Sequence, residues 1–132
     1  SSVVVRDAGS ALQAMHGSAE PAVVRTLIKQ RRSGAPPLLL VAGDAGCTGL
    51  VALLDADYSP LVSDTIALPG PSCAPMAAMP PADLDGDGRR ELVLRAGNGE
   101  PGVGTLRAVY HIELEPPGLE RVWHDSFTAA CP

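Results

Sequence analysis

The sequence predicts an all-β protein built from short antiparallel meanders, and three observations carry that expectation. Gly and Pro number fourteen and thirteen in 132 residues, about a fifth of the chain against an average of roughly an eighth, yet the apolar fraction is an ordinary 45% and no low-complexity tract is present. This composition favours a turn-rich fold over a disordered one. Short apolar triplets recur, each followed by a Gly-bearing turn: Val3-Val4-Val5, Leu38-Leu39-Leu40 and Leu92-Val93-Leu94. A Leu-x-Ala-apolar segment comes after each, namely Leu12-Gln13-Ala14-Met15, Leu50-Val51-Ala52-Leu53 and Leu106-Arg107-Ala108-Val109. An internal repeat outranks local propensity as a fold signal, because each copy is one supersecondary unit that packs on its neighbours.

Taken in order, the copies define repeat units of about residues 2–33, 37–69 and 90–130 within a single domain spanning 1–132. Each is expected to be a three- to four-stranded antiparallel meander, so that the whole resembles part of a propeller. The apolar triplets read as buried strands, and the third strands fall at 23–27, 62–66 and 119–123. Gly-containing turns at 7–9, 44–49 and 98–104 supply the positive-φ positions of the hairpins. A short N-terminal helix competes over residues 19–32, with Ser18 as its cap, Glu20 in its first turn, Val24, Leu27 and Ile28 on one face and basic residues at its end. Between the second and third units, residues 69–81 hold five Pro in thirteen positions, which reads as a stiff surface loop.

Several functional classes are disfavoured at once. A net charge of −5 with one Trp, one Phe and two Tyr lacks both the basic field and the stacking platforms that nucleic acid requires. The local basic run of Arg25, Lys29, Arg31 and Arg32 reads as a solvated face. The longest apolar stretch, residues 38–43, is far too short to span a membrane. A start at Ser1 without Met is what a removed leader or a shortened chain would leave.

The most specific segment is Asp83-Leu84-Asp85-Gly86-Asp87-Gly88-Arg89-Arg90-Glu91. Calcium takes six to eight oxygens, and Asp at alternate positions of a tight turn aims several carboxylates inward. Asp83, Asp85 and Asp87 meet that need, the Arg89 carbonyl adds a neutral oxygen, and Glu91 closes the loop. Gly86 and Gly88 let the backbone turn between ligands. Three Asp and one Glu within nine residues repel one another unless a cation neutralises them. An EF-hand is excluded, because its twelfth position would be Leu94 and its flanks should be helical.

With these residues in view, Asp-x-Asp-Gly-Asp-Gly-x-x-Glu-Leu-Val at 83–93 resembles the calcium motif of FG-GAP or VCBS-type repeats of integrin-like β-propellers. The resemblance implies Ca2+ held by Asp83, Asp85, Asp87, the Arg89 carbonyl and Glu91. Only the third unit is preceded by such a loop, and three units are fewer than a closed propeller needs.

Catalysis is not expected. His124-Asp125-Ser126 contains the side chains of a hydrolase triad, but neighbours on a strand point to opposite faces and cannot converge. Cys47 has no neighbouring His to act as its base, and no zinc spacing of Cys and His occurs. In an up-down-up meander, the turn holding Cys47 and the end of the third strand before Cys73 lie at the same end of the sheet. A Cys47–Cys73 disulfide is therefore expected, with Cys131 left over.

The expected function is that of a calcium-stabilised periplasmic or extracellular module that binds a protein partner. In outline the chain is similar to bacterial immunity proteins that plug the active site of a delivered peptidoglycan hydrolase. The contact surface is expected on the Pro-rich loop, where Pro71 and Ser72 form the bend that enters a cleft and Met76 and Met79 offer adaptable apolar contacts. The competing expectation is a structural blade of a larger adhesin-like protein.

Overall fold

The computed structural model describes residues 2–17 and 19–131, in one helix and nine strands. Helix α1 (Ser2–His16) is followed by β1 (Val23–Arg32), β2 (Ala35–Ala45), β3 (Thr48–Leu54) and β4 (Pro60–Ala67). The short strands β5 (Ser72–Cys73) and β6 (Met76–Ala78) come next, then β7 (Arg90–Ala96), β8 (Val103–Leu114) and β9 (Pro117–Thr128). The first four strands form an antiparallel sheet in the order β1-β2-β3-β4. In the second sheet β8 is central, with β7 then β6 on one side, β9 paired antiparallel to it, and β5 parallel to its first residues. The expected all-β class is thus present, and the one helix lies at Ser2–His16 rather than over the residues 19–32 considered for it.

The molecule has three layers, and the sequence of β2 and β3 explains why. Successive residues of a strand face opposite ways. Leu38, Leu40, Ala42, Val51 and Leu53 point into a core shared with the second sheet, where they meet Leu92, Leu94, Leu106, Ala108 and Tyr110. Val41, Ala45, Leu50, Ala52 and Leu54 point the other way, against α1. A strand buried on both faces must be apolar at every position, which is why these segments read as continuous runs rather than alternating ones.

The helix replaces the strands expected at 3–5 and 12–15, and the turn expected at 7–9 lies inside it. Ala8, Ala11, Leu12 and Met15 recur at helical spacing, and this stripe covers the exposed face of the first sheet. Tertiary burial overrides the β-propensity of the Val triplet. The helix considered at 19–32 is instead β1, paired with β2 from Val23↔Asp44 to Arg32↔Ala35. Its proposed cap, Ser18, lies outside the described residues. The turns expected at 44–49 and 98–104 join β2 to β3 and β7 to β8.

Polar clamps close both sides of the sandwich. On one side the Asp44 carboxylate, 7% exposed, accepts two bonds from Arg25 (3.0 and 3.1 Å) and one from the Met76 N–H (3.0 Å), while Thr26 Oγ1 accepts from the Ala78 N–H at 2.9 Å. Arg25 of the basic run is therefore tied to the core, whereas Lys29 and Arg31 are exposed. On the other side Asp64 of β4 accepts from Tyr110 Oη at 2.6 Å and from Arg121 of β9 at 3.0 Å.

Candidate metal centre

Residues 83–91 lead into β7, with Gly86 and Gly88 at φ 74° and 83°, the left-handed region that the two-Gly spacing anticipates. The loop is folded on its own side chains. Asp83 accepts from the N–H groups of Gly86 (2.8 Å) and Gly88 (2.9 Å), Asp85 from Asp87 (3.1 Å), and Asp87 from Arg89 (2.8 Å). Glu91 Oε1 takes the N–H groups of Leu84 (3.0 Å) and Asp85 (3.3 Å). The bridge Ala82↔Glu91 anchors the start of the loop to the strand that follows it.

Donor atoms of Asp85, Asp87, Glu91 and His111 all lie within 4.8 Å of one another, a grouping able to hold a metal ion. Three of the five expected ligand residues are therefore brought together. Asp83 is engaged by backbone N–H groups at the base of the loop, and Arg89 directs its guanidinium to Glu113 at 3.5 Å. Glu91 is only 5% exposed, and its Oε2 has no hydrogen-bond partner. A buried carboxylate oxygen without a partner is costly, and a cation at this point would remove that cost.

The two exposed carboxylates of the cluster shift in opposite directions. The bond from the Asp87 N–H pulls the Asp85 carboxyl down, but desolvation and the adjacent negative charges of Asp87 and Glu91 outweigh it, so its pKa stands above the ordinary value. Asp87 is held below its ordinary value, first by the Arg89 N–H and further by Asp85, His111 and Arg89, against opposing desolvation.

His111 was not expected from spacing, because it lies twenty residues beyond Glu91. The signal that finds it is hairpin register. A turn centred near residue 101 places 91 opposite 111, and the pairing of β7 with β8 is Glu91↔His111. Its Nε2 stands 3.7 Å from Glu91 Oε2, and its Nδ1 stands 3.8 Å from Glu120 Oε1 on β9.

The same register builds an apolar row next to this cluster. Val93, Val109 and Trp123 are direct cross-strand partners, and the Met79 N–H donates to the Val93 carbonyl at 3.0 Å, placing Met79 at the end of the row. These residues lie on the outer face of the second sheet, two positions along their strands from Glu91 and His111. Met79 is 49% exposed and Trp123 51%, while Val93 and Val109 are half-buried.

Of the expected partner-contact residues, Pro71 and Ser72 are exposed, with the Ser72 N–H bonded to the Gly102 carbonyl at 3.3 Å. Met76 needs correction. It is fully buried between the sheets beneath Gly49 and cannot offer a surface contact. The Cys47–Cys73 disulfide is formed, 26 residues apart in sequence, and Cys131 is free and exposed. On β9, Asp125 alternates with His124 and Ser126 between the two faces, so the three form no triad. Among the described residues no helix is long and apolar enough to cross a membrane. No protein-family model matches the chain, and no curated protein or solved structure is similar to it.

Proposed function

We propose that the protein is a calcium-stabilised extracytoplasmic module that binds another protein through the outer face of its second sheet. The observation that carries this reading is the row Met79-Val93-Val109-Trp123, which runs from the residue after β6 across β7, β8 and β9 beside the acidic cluster. An exposed apolar row that includes Trp is the kind of anchor that dominates protein interfaces. The Asp spacing of 83–91 favours Ca2+, and the ion fixes the loop at the edge of this face. The disulfide favours an oxidising compartment.

The most concrete form of the reading is an inhibitor or immunity protein of a periplasmic or cell-wall hydrolase, with the bend at Pro71-Ser72 entering the cleft. Ser72 on β5 pairs with Val103 at the start of β8 and Trp123 on β9 with Val109 near its middle, so the two positions separate a loop interface from a sheet-face interface. The test is capture of the partner from the envelope fraction of the native host, followed by calorimetry with purified components. Trp123→Ala should weaken the complex by more than about 2 kcal/mol at unchanged melting temperature, and Ser72→Arg should do the same if the bend enters a cleft. A complex indifferent to both substitutions contradicts this reading.

A further inference from the structure

We propose that His111 is a ligand of the cation held by Asp85, Asp87 and Glu91, and that by recruiting it the site takes a first-row transition divalent cation more tightly than Ca2+. The inference rests on the reading of this cluster as a cation site and adds a second class of ion to it. The loop alone offers oxygen, which suits Ca2+. Imidazole is a poor calcium ligand and a good one for Zn2+, Ni2+ or Cu2+.

The geometry of three atoms supports His111. Glu91 Oε2 is buried without a hydrogen-bond partner and faces His111 Nε2 at 3.7 Å. Two donors about 2.0–2.1 Å from a shared tetrahedral zinc stand roughly 3.3 Å apart, so a small closure brings both into coordination. His111 Nδ1 is likewise buried without a hydrogen bond and lies 3.8 Å from Glu120 Oε1. A ligating imidazole characteristically donates its other N–H to a carboxylate, which fixes the tautomer that leaves Nε2 free for the metal. Glu120 is therefore a positioning residue. Asp85 and Asp87 are exposed and supply the other two donors from the solvent side of the site.

Two strands thereby meet at one ion. Glu91 is on β7, His111 on β8 and Glu120 on β9, and the pairings Glu91↔His111 and His111↔Glu120 make them one transverse row of the sheet. An ion bound with His111 is attached to the sheet itself, whereas one held by the loop alone touches it only at Glu91.

The test is 15N NMR of histidine-labelled, metal-free protein at fixed pH, titrated separately with Zn2+ and Ca2+. Three imidazoles are present, at 16, 111 and 124, so the two others serve as internal controls. At one equivalent of Zn2+ the Nε2 resonance of His111 should shift to the metal-bound position with little change at Nδ1, and Ca2+ should leave both nitrogens nearly unmoved. Calorimetry should give a Zn2+ affinity at least about tenfold above that for Ca2+ in the wild type. His111→Gln should abolish that preference and leave Ca2+ affinity within about threefold, and Glu120→Gln should lower Zn2+ affinity about tenfold. If Ca2+ binds but His111 stays unshifted under Zn2+, the inference is overturned while the cation-site reading stands. If neither ion binds, both fall.

Discussion

Tyr110 spans from the core to the edge of the sandwich: its side chain is buried, and its O–H donates to Asp64 Oδ2 at 2.6 Å. Arg121 reaches the same oxygen at 3.0 Å and continues to the Thr65 carbonyl at 2.9 Å. Burial raises the Tyr110 pKa well above its ordinary value, the bond to Asp64 and the Asp64 charge add to this, and Arg121 opposes it. The folded state therefore favours the neutral phenol. Its contribution is complete below the ordinary value of about 10 and is lost as pH climbs toward the raised folded value. Tyr110→Phe should cost about 1.5–3 kcal/mol near neutrality, as loss of a hydrogen bond to a charged group. Above pH about 10, urea unfolding should show stability falling more steeply in the wild type than in Tyr110→Phe. Parallel pH curves for the two proteins contradict this account of the clamp.

Strand β6 shows how an element too short to be read from sequence is held in place. Its three residues pair with β7, its Met76 side chain fills the core, and its backbone is fixed by Asp44 and Thr26 of the opposite sheet. Gly49 makes room for it: a Cβ there would lie 2.5 Å from Met76 Sδ and 2.9 Å from Ile66 Cγ2. Gly49→Ala should destabilise by about 1–3 kcal/mol through overpacking, and Gly49→Ala with Met76→Ala should recover part of that loss in a double-mutant cycle. Strict additivity would contradict the proposed contact. The neighbouring disulfide closes a 26-residue loop, so Cys47→Ser with Cys73→Ser should cost about 3 kcal/mol by chain entropy, measured by denaturant unfolding. The pairing was legible because the meander from β2 to β4 was legible, and meander geometry brings the first turn and the far end together. The two short strands were not, since five Pro mask the local pattern and both are held by long-range contacts: β5 by its pairing with β8 and the disulfide at Cys73, β6 by its pairing with β7 and the bonds to Asp44 and Thr26. Nor was α1, where a run of Val outweighed the helical stripe of Ala8, Ala11, Leu12 and Met15 until a sheet face was available to receive it.

For the whole molecule, the two sheets share a core along the inner faces of β2, β3, β7 and β8, and α1 covers one outer face. The other outer face is open, and the acidic cluster and the apolar row both lie on it. Most of the acidic cluster was legible from the loop alone, because a tight Asp-Gly turn brings its own carboxylates together. His111 and Trp123 depended on cross-strand register, which becomes readable only after the hairpin turn is placed. The central claim is that a divalent cation in this cluster stabilises the fold, and an ion bound only by the native state adds RT ln(1 + [L]/Kd), about 2.7 kcal/mol at a hundredfold excess over Kd. The most direct measurement is thermal unfolding of metal-free protein at increasing Ca2+, for the wild type and for Asp85→Ala. The wild-type midpoint should rise steadily with the logarithm of Ca2+ once Kd is passed, and the variant should lose most of that rise. A wild-type midpoint that stays level to well above 10 mM, or an equal rise in Asp85→Ala, would contradict the claim.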